Sequence, residues 1–160
     1  MREQLAITLA QFPNTKIVDG TAEATTLPEH SIDVITCAQA LNHFDIDAFR
    51  IECNRISKPN SIVISLNSYT RNDLRGNARY KKSTSSLFKN PVVQEFPNTV
   101  LFTRDKWLQY LSSMIVLPQE SDLEYEAHLA EMSKIFDRDN VDGLLRYDLI
   151  TKMYSEKLFK

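Results

Sequence analysis

The 160-residue sequence predicts an α/β fold: a mostly parallel sheet with helices on both faces, closed by an antiparallel strand near the C-terminus. Three observations carry this. Ile32 to Cys37 runs almost continuously apolar, interrupted by Asp33, the pattern of a strand covered on both faces. Ile46 to Ser57 places Phe49, Cys53 and Ile56 at helical spacing, and the β-branched run Ile62-Val63-Ile64 comes next, within Ser61 to Leu66. Strand, crossover helix and second buried strand make a βαβ unit, right-handed by the twist of its strands. Finally, Leu144 to Leu158 alternates in part through Leu145, Tyr147, Leu149, Thr151 and Met153, as a long antiparallel strand would.

The remaining elements can be taken in chain order. Met1 to Phe12 reads as a helix with Leu5, Leu9 and Phe12 on one face, stopped by Pro13-Asn14; that face should pack on the later part of the chain. Lys16-Ile17-Val18 reads as a short strand closed by Asp19-Gly20, and Thr21 to Ser31 as a loop turned by Pro28. Ala38 to Phe44 is a crossing segment, and Asp45 is the expected N-cap of the next helix. Residues 67–98 read as a partly helical insertion within one domain spanning 1–160. Its basic run (Arg71, Arg75, Arg79, Lys81, Lys82) is expected to be a solvated, mobile face rather than a phosphate or nucleic-acid patch. Thr99 to Phe102 is a short apolar piece, and Thr103 should cap an amphipathic helix over Arg104 to Met114 that uses Trp107, Tyr110 and Leu111. A further helix from Glu120 or Ser121 to Phe136 should bury Leu123, Ala127, Ala130 and Ile135.

Composition bounds the function. A length of 160 residues suits one domain, and 42% hydrophobic with 25% charged residues is globular rather than disordered. A net charge of −2 gives no general attraction to nucleic acid or to an anionic membrane. The sequence has neither a secretory leader pattern nor an apolar run of about 18 residues, so a cytoplasmic protein is expected. Cys37 and Cys53 lie among apolar neighbours and read as reduced core thiols.

A parallel sheet binds ligands at the carboxyl ends of its strands. The polar groups expected there are Asp19, Glu23, Gln39, Asn42, His43, Asn67 and Tyr69. His30, His43 and His128 lack ligand spacing, so no metal is expected. Cys37 has no activating cation nearby in sequence, and His43 beside Phe44 reads as a packed or rim histidine before a base. Glu23 can accept from an adenine amino group or serve only as a loop carboxylate; the residues alone leave both open.

The order of several motifs goes further. Gly20-Thr21-Ala22-Glu23, Leu27-Pro28, Ser31-Ile32-Asp33-Val34-Ile35, Ala38-Gln39-Ala40-Leu41-Asn42-His43-Phe44 and Arg55-Ile56-Ser57-Lys58-Pro59 resemble the later motifs of class I S-adenosylmethionine-dependent methyltransferases. The closest type is the methyltransferase-11, trans-aconitate-methyltransferase-like kind. The resemblance implies a Rossmann-like fold, S-adenosylmethionine as cofactor and a small-molecule acceptor. It implies that Ala22 and Glu23 flank the adenine, and that Ala38 and Gln39 lie beside the methionine and sulfonium. It also implies that Asn42, His43 and Phe44 line the acceptor side with Tyr69, and that His43 is the candidate base where an acceptor must lose a proton.

The sequence also departs from that pattern. Asn42 stands at a usual histidine position and His43 at a usual tryptophan position. Asn60-Ser61 replaces a Gly-Gly turn, which Asn tolerates because it visits the left-handed region. Only Gly20, Gly76 and Gly143 occur, so the glycine-rich cofactor loop of the family is absent from these residues. The expectation is therefore an incomplete methyltransferase sheet, truncated before its first strands, that is not competent alone. Ile32–Cys37 would then have an uncovered edge, to be closed by Lys16–Val18, by a second copy or by an N-terminal partner. The other expectation is a non-catalytic, self-associating or interaction module.

Overall fold

The computed structural model describes residues 2–70, 74–113, 118 and 121–157. It is a mixed α/β protein. The elements run α1 (Arg2–Leu9), β1 (Gly20–Thr21), β2 (Ala24–Thr25), β3 (Ile32–Ala38), α2 (Ile46–Ile56), β4 (Ser57–Thr70), α3 (Leu74–Leu87), β5 (Val92–Phe102), α4 (Arg104–Ser112), α5 (Tyr125–Asp139) and β6 (Leu145–Glu156). β1 and β2 form a two-stranded antiparallel ribbon, and the main sheet has the order β3-β4-β6-β5. No helix among the described residues is long and apolar enough to cross a membrane.

The βαβ unit forms as its sequence dictates. Asp45 Oδ1 accepts from the N–H groups of Asp47 and Ala48, both at 3.1 Å, which satisfies two of the free donors that open α2. The apolar stripe Phe49, Cys53 and Ile56 is buried. β3 and β4 pair in parallel, Val34 opposite Ile62 through Ala38 opposite Leu66. The register shifts between Ile32 and Val34, across from Lys58 to Ser61. Asn60 lies in that stretch with φ 70°, the left-handed conformation expected of it.

Several expectations are corrected. Lys16–Val18 forms no strand; the pairing comes later, where Gly20 approaches Ala24 so closely that a Cβ would sit 2.8 Å from its carbonyl oxygen. β3 is not covered on both faces. It ends the sheet, with Val34 half exposed and Cys37 its one buried residue. The Leu5 and Phe12 side chains of the first segment remain largely exposed, so the expected packing of that face is not made. α5 starts at Tyr125, leaving Leu123 fully exposed and Ala127 and Ala130 on its outer side.

The chain divides into two compact units. The first comprises Met1–Asn67, Arg75–Gln94 and Met153–Lys160. Its core gathers Cys37, Leu41, Phe49, Cys53 and Val63 with Tyr80, Leu87 and Phe88. α3 is therefore anchored: the Tyr80 hydroxyl lies 2.8 Å from Ser65 Oγ, each satisfying the other, while Lys81 and Lys82 stay outside. Arg71 lies outside the described residues.

The second unit comprises Ser68–Leu74 and Glu95–Lys152. Phe102, Trp107, Leu111, Phe136 and Leu145 form its core, and Phe102, Trp107, Tyr110 and Tyr147 stack with ring centroids 5.1 to 6.2 Å apart. The indole N–H of Trp107 donates to Met132 O at 3.2 Å. Thr103 holds the N-cap position of α4 through its backbone, without a side-chain bond.

Candidate functional site

A groove of about 430 Å³ runs along β3, between that strand, α2 and the loop that carries β1 and β2. Its volume is in the range of small-molecule sites. Its wall is mainly apolar: Ala22 and Leu27 from the loop, Ile35 and Ala38 from β3, Phe44 and Phe49 around the start of α2. The two phenyl rings pack tilted, centroids 5.0 Å apart.

The structure brings part of the expected set together. Ala22, Ala38 and Phe44, from three separate segments, line this one groove. Glu23 is next to it, its Oε1 accepting the Asp45 N–H at 3.0 Å. Gln39 follows Ala38 at the carboxyl end of β3 with φ 56°, and its N–H donates to Leu66 O at 2.9 Å. That bond fixes the turn by which the chain leaves the sheet. Asn42 Nδ2 donates to His43 Nε2 at 3.2 Å, and His43 is exposed beyond the groove wall. Tyr69 is buried in the second unit.

Both cysteines are free and buried in the groove wall. Burial pushes the Cys37 thiol up from its usual range, and Cys37 Sγ donates to Ile64 O at 3.6 Å. Burial, with Cys37 and Glu52 nearby, pushes Cys53 up to about 12. Neither is a thiolate at neutral pH, so neither is a nucleophile. Among the described residues, no three His, Cys, Asp or Glu side chains gather as a metal-holding group.

Sequence reasoning missed Glu52. It sits in the apolar stripe of α2, between Phe49 and Cys53, and is only 6% exposed. Its Oε1 accepts from Thr25 N at 2.8 Å, from the Thr25 hydroxyl and from Arg55 Nη2 at 2.7 Å; its Oε2 accepts from Arg55 Nε at 2.8 Å. The Arg55 guanidinium, with the Thr25 bonds, holds the carboxyl down at about 2 against the cost of burial. The signal was present: a glutamate inside an apolar helical stripe, three residues before an arginine, is a buried charge that needs partners.

Residues 1–65 match the family model described as a methyltransferase domain. That match covers the first 65 of the 160 residues. The mixed α/β, Rossmann-like fold is also found in solved structures at low sequence identity. A provisionally assigned type II methyltransferase from Anaeromyxobacter dehalogenans superposes with a TM-score of 0.62 at 16% identity, over 92% of this chain and 73% of that one. The YcgJ protein from Bacillus subtilis superposes with a TM-score of 0.54 at 16% identity, over 97% of this chain and 76% of that one. Among curated proteins none matches this chain in sequence.

The groove can be tested against the cofactor that such a domain implies. Its apolar wall fits an adenine ring and thioether-like carbons, and Glu23 beside it offers a carboxylate. No cationic side chain lines it, so nothing in the wall answers the carboxylate of a methionine moiety, and both Glu52 oxygens are already engaged. The residues fit the adenosine end of S-adenosylmethionine.

Proposed function

We propose that this chain is a class I methyltransferase domain that takes S-adenosylmethionine at the β3–α2 groove, adenosine end first, and serves a small-molecule acceptor. The observation that supports this is the convergence of Ala22, Ala38 and Phe44 on one apolar groove within the segment of methyltransferase-domain sequence. In this reading Ala22 and Glu23 hold the adenine, Ala38 and Gln39 border the reacting end, and Asn42, His43 and Phe44 face the acceptor. When bound, the cofactor supplies an electrophilic methyl group on a sulfonium. The chain's own part is then to hold donor and acceptor in line and keep water out, which the apolar wall does. His43 Nε2, held as an acceptor by Asn42, can take a proton from an acceptor that must lose one. The groove wall carries no cation for the methionine carboxylate, and that end is proposed to be completed by residues outside the wall.

The experiment is a titration of the chain with S-adenosylhomocysteine and, separately, adenosine. Both should bind with similar dissociation constants on the order of 10⁻⁴ M, because the shared adenosine half makes the contacts. No saturable binding at millimolar ligand would overturn the reading.

The second reading, a non-catalytic interaction module, is favoured by the uncovered edge of β3. It predicts the opposite result of that titration: no saturable binding of S-adenosylhomocysteine or adenosine.

A further inference from the structure

The loop that carries Ala22 and Glu23 has little structure of its own. β1 and β2 have two residues each, and such a ribbon does not hold its position in water by itself. What fixes it is α2. At the N-terminal end of the helix, the backbone N–H of Asp45 donates to Glu23 Oε1. Toward the C-terminal end, one carboxylate and one guanidinium grip the other side of the loop. Glu52 takes the N–H and hydroxyl of Thr25, and Arg55 Nη2 donates to Thr25 O at 3.3 Å and Leu27 O at 2.9 Å. Farther along the chain, the N–H groups of His30 and Ser31 donate to Arg55 O and Ile56 O at 3.0 and 2.8 Å. Asp45 and Glu52 are about 10 Å apart along a helix axis, so the loop is tied at two separate points of α2.

We infer that Glu52 and Arg55 are positioning residues of the cofactor groove: through Thr25 and Leu27 they set the distance of the Ala22–Leu27 loop from β3, and so the width of the slot an adenine must enter. This rests on the reading that the groove takes adenosine. Three features separate the clamp from ordinary packing. Its carboxylate is on the groove wall, Glu52 itself lining the cavity. It satisfies three main-chain groups of the loop, Thr25 N–H through Glu52 and the Thr25 and Leu27 carbonyls through Arg55, which hydrophobic residues at 52 and 55 could not do. Its members are separated by about thirty residues in sequence, so it fixes tertiary geometry rather than the helix. Buried pairs of this kind need not add stability, and their best-attested use is to fix one arrangement among several.

The test uses the full chain and adenosine, followed by amide chemical shifts well below the melting temperature. Thr25→Val keeps the shape and removes the hydroxyl; Thr25→Ser restores it. Arg55→Lys keeps a charge for Glu52 but cannot span Thr25 O and Leu27 O together. Thr25→Val and Arg55→Lys should each weaken adenosine binding roughly tenfold, with Ala22 and Thr25 amides shifted in the free protein. Thr25→Ser should bind within about threefold of the parent. A merely structural clamp would lower the melting temperature and leave the affinity alone. Parent-like adenosine affinity in Thr25→Val and Arg55→Lys therefore overturns the inference while the cofactor reading stands. A flat titration of the parent itself overturns the cofactor reading and the positioning role with it. Should Arg55→Lys fail to fold, the Thr25→Val and Thr25→Ser pair decides alone.

Discussion

At the scale of the residue, Glu52 makes the clearest demand on the solution behaviour of the protein. Its carboxyl is held at about 2 in the fold, against an ordinary value of 4.5. A carboxylate with a depressed folded pKa stabilises the fold above its unfolded pKa, and that contribution is lost as pH falls through the interval between the two. Glu52→Gln should therefore cost about 2 kcal/mol at pH 7, since it removes a charge-assisted bond and leaves Arg55 unneutralised. Urea unfolding from pH 7 down to pH 3 should show the gap between parent and variant narrowing below about pH 4.5; a constant gap would mean the charge is not what stabilises. Asn60 makes a second demand. With φ at 70°, Asn60→Ala should cost about 1 kcal/mol, whereas Asn60→Gly should fall within a few tenths. The same unfolding curves at neutral pH check both.

At the scale of the element, α2 is the piece whose sequence states its own structure. Asp45 opens it, the stripe of Phe49, Cys53 and Ile56 faces inward, and Asp45→Ala should cost about 1 kcal/mol by stripping two N–H groups of their acceptor. Helix content by circular dichroism should fall little, because tertiary packing rather than the cap holds the helix. β3 and the centre of β4 were equally legible, since apolar runs of this length flanking a helix leave few topologies. Other elements depend on information that is not local. Lys16–Val18 has strand composition but finds no partner, and the pairing goes to Gly20–Thr25, where a missing Cβ permits close approach. β5 extends across Pro97, because a strand at the end of a sheet tolerates a missing donor. Within the site, the positions Ala22, Ala38 and Phe44 come from the family resemblance, not from the residues alone. The clamp was legible in neither, because its meaning depends on Thr25 and Leu27 meeting Arg55 across about thirty residues.

At the scale of the whole molecule, the decisive feature is the sheet order β3-β4-β6-β5, which leaves β3 with one hydrogen-bonded neighbour among the described strands. A strand end of a sheet is normally blunted by inward charges, by proline or by a covering element. β3 has none of these over Val34 to Ala38; its one charge, Asp33, is at the start and is already paired with Lys58 at 2.7 Å. Val34 is half exposed, and the apolar groove opens along the same strand. The end strand of a sheet beside an apolar cleft forms a surface that another strand can complete. The chain should accordingly associate as its concentration rises, and Val34→Lys should suppress this by placing an ammonium on the strand that an incoming chain would have to desolvate. Light scattering on a sizing column across a concentration series checks it. The parent should shift to larger mass while Val34→Lys stays monomeric at the same loading. Parent protein that remains monomeric throughout would show that this strand end does not recruit a partner. Association that persists unchanged in Val34→Lys would move the contact to another surface, with the β5 end of the sheet, where Val92, Val93 and Phe96 are exposed, the next to substitute.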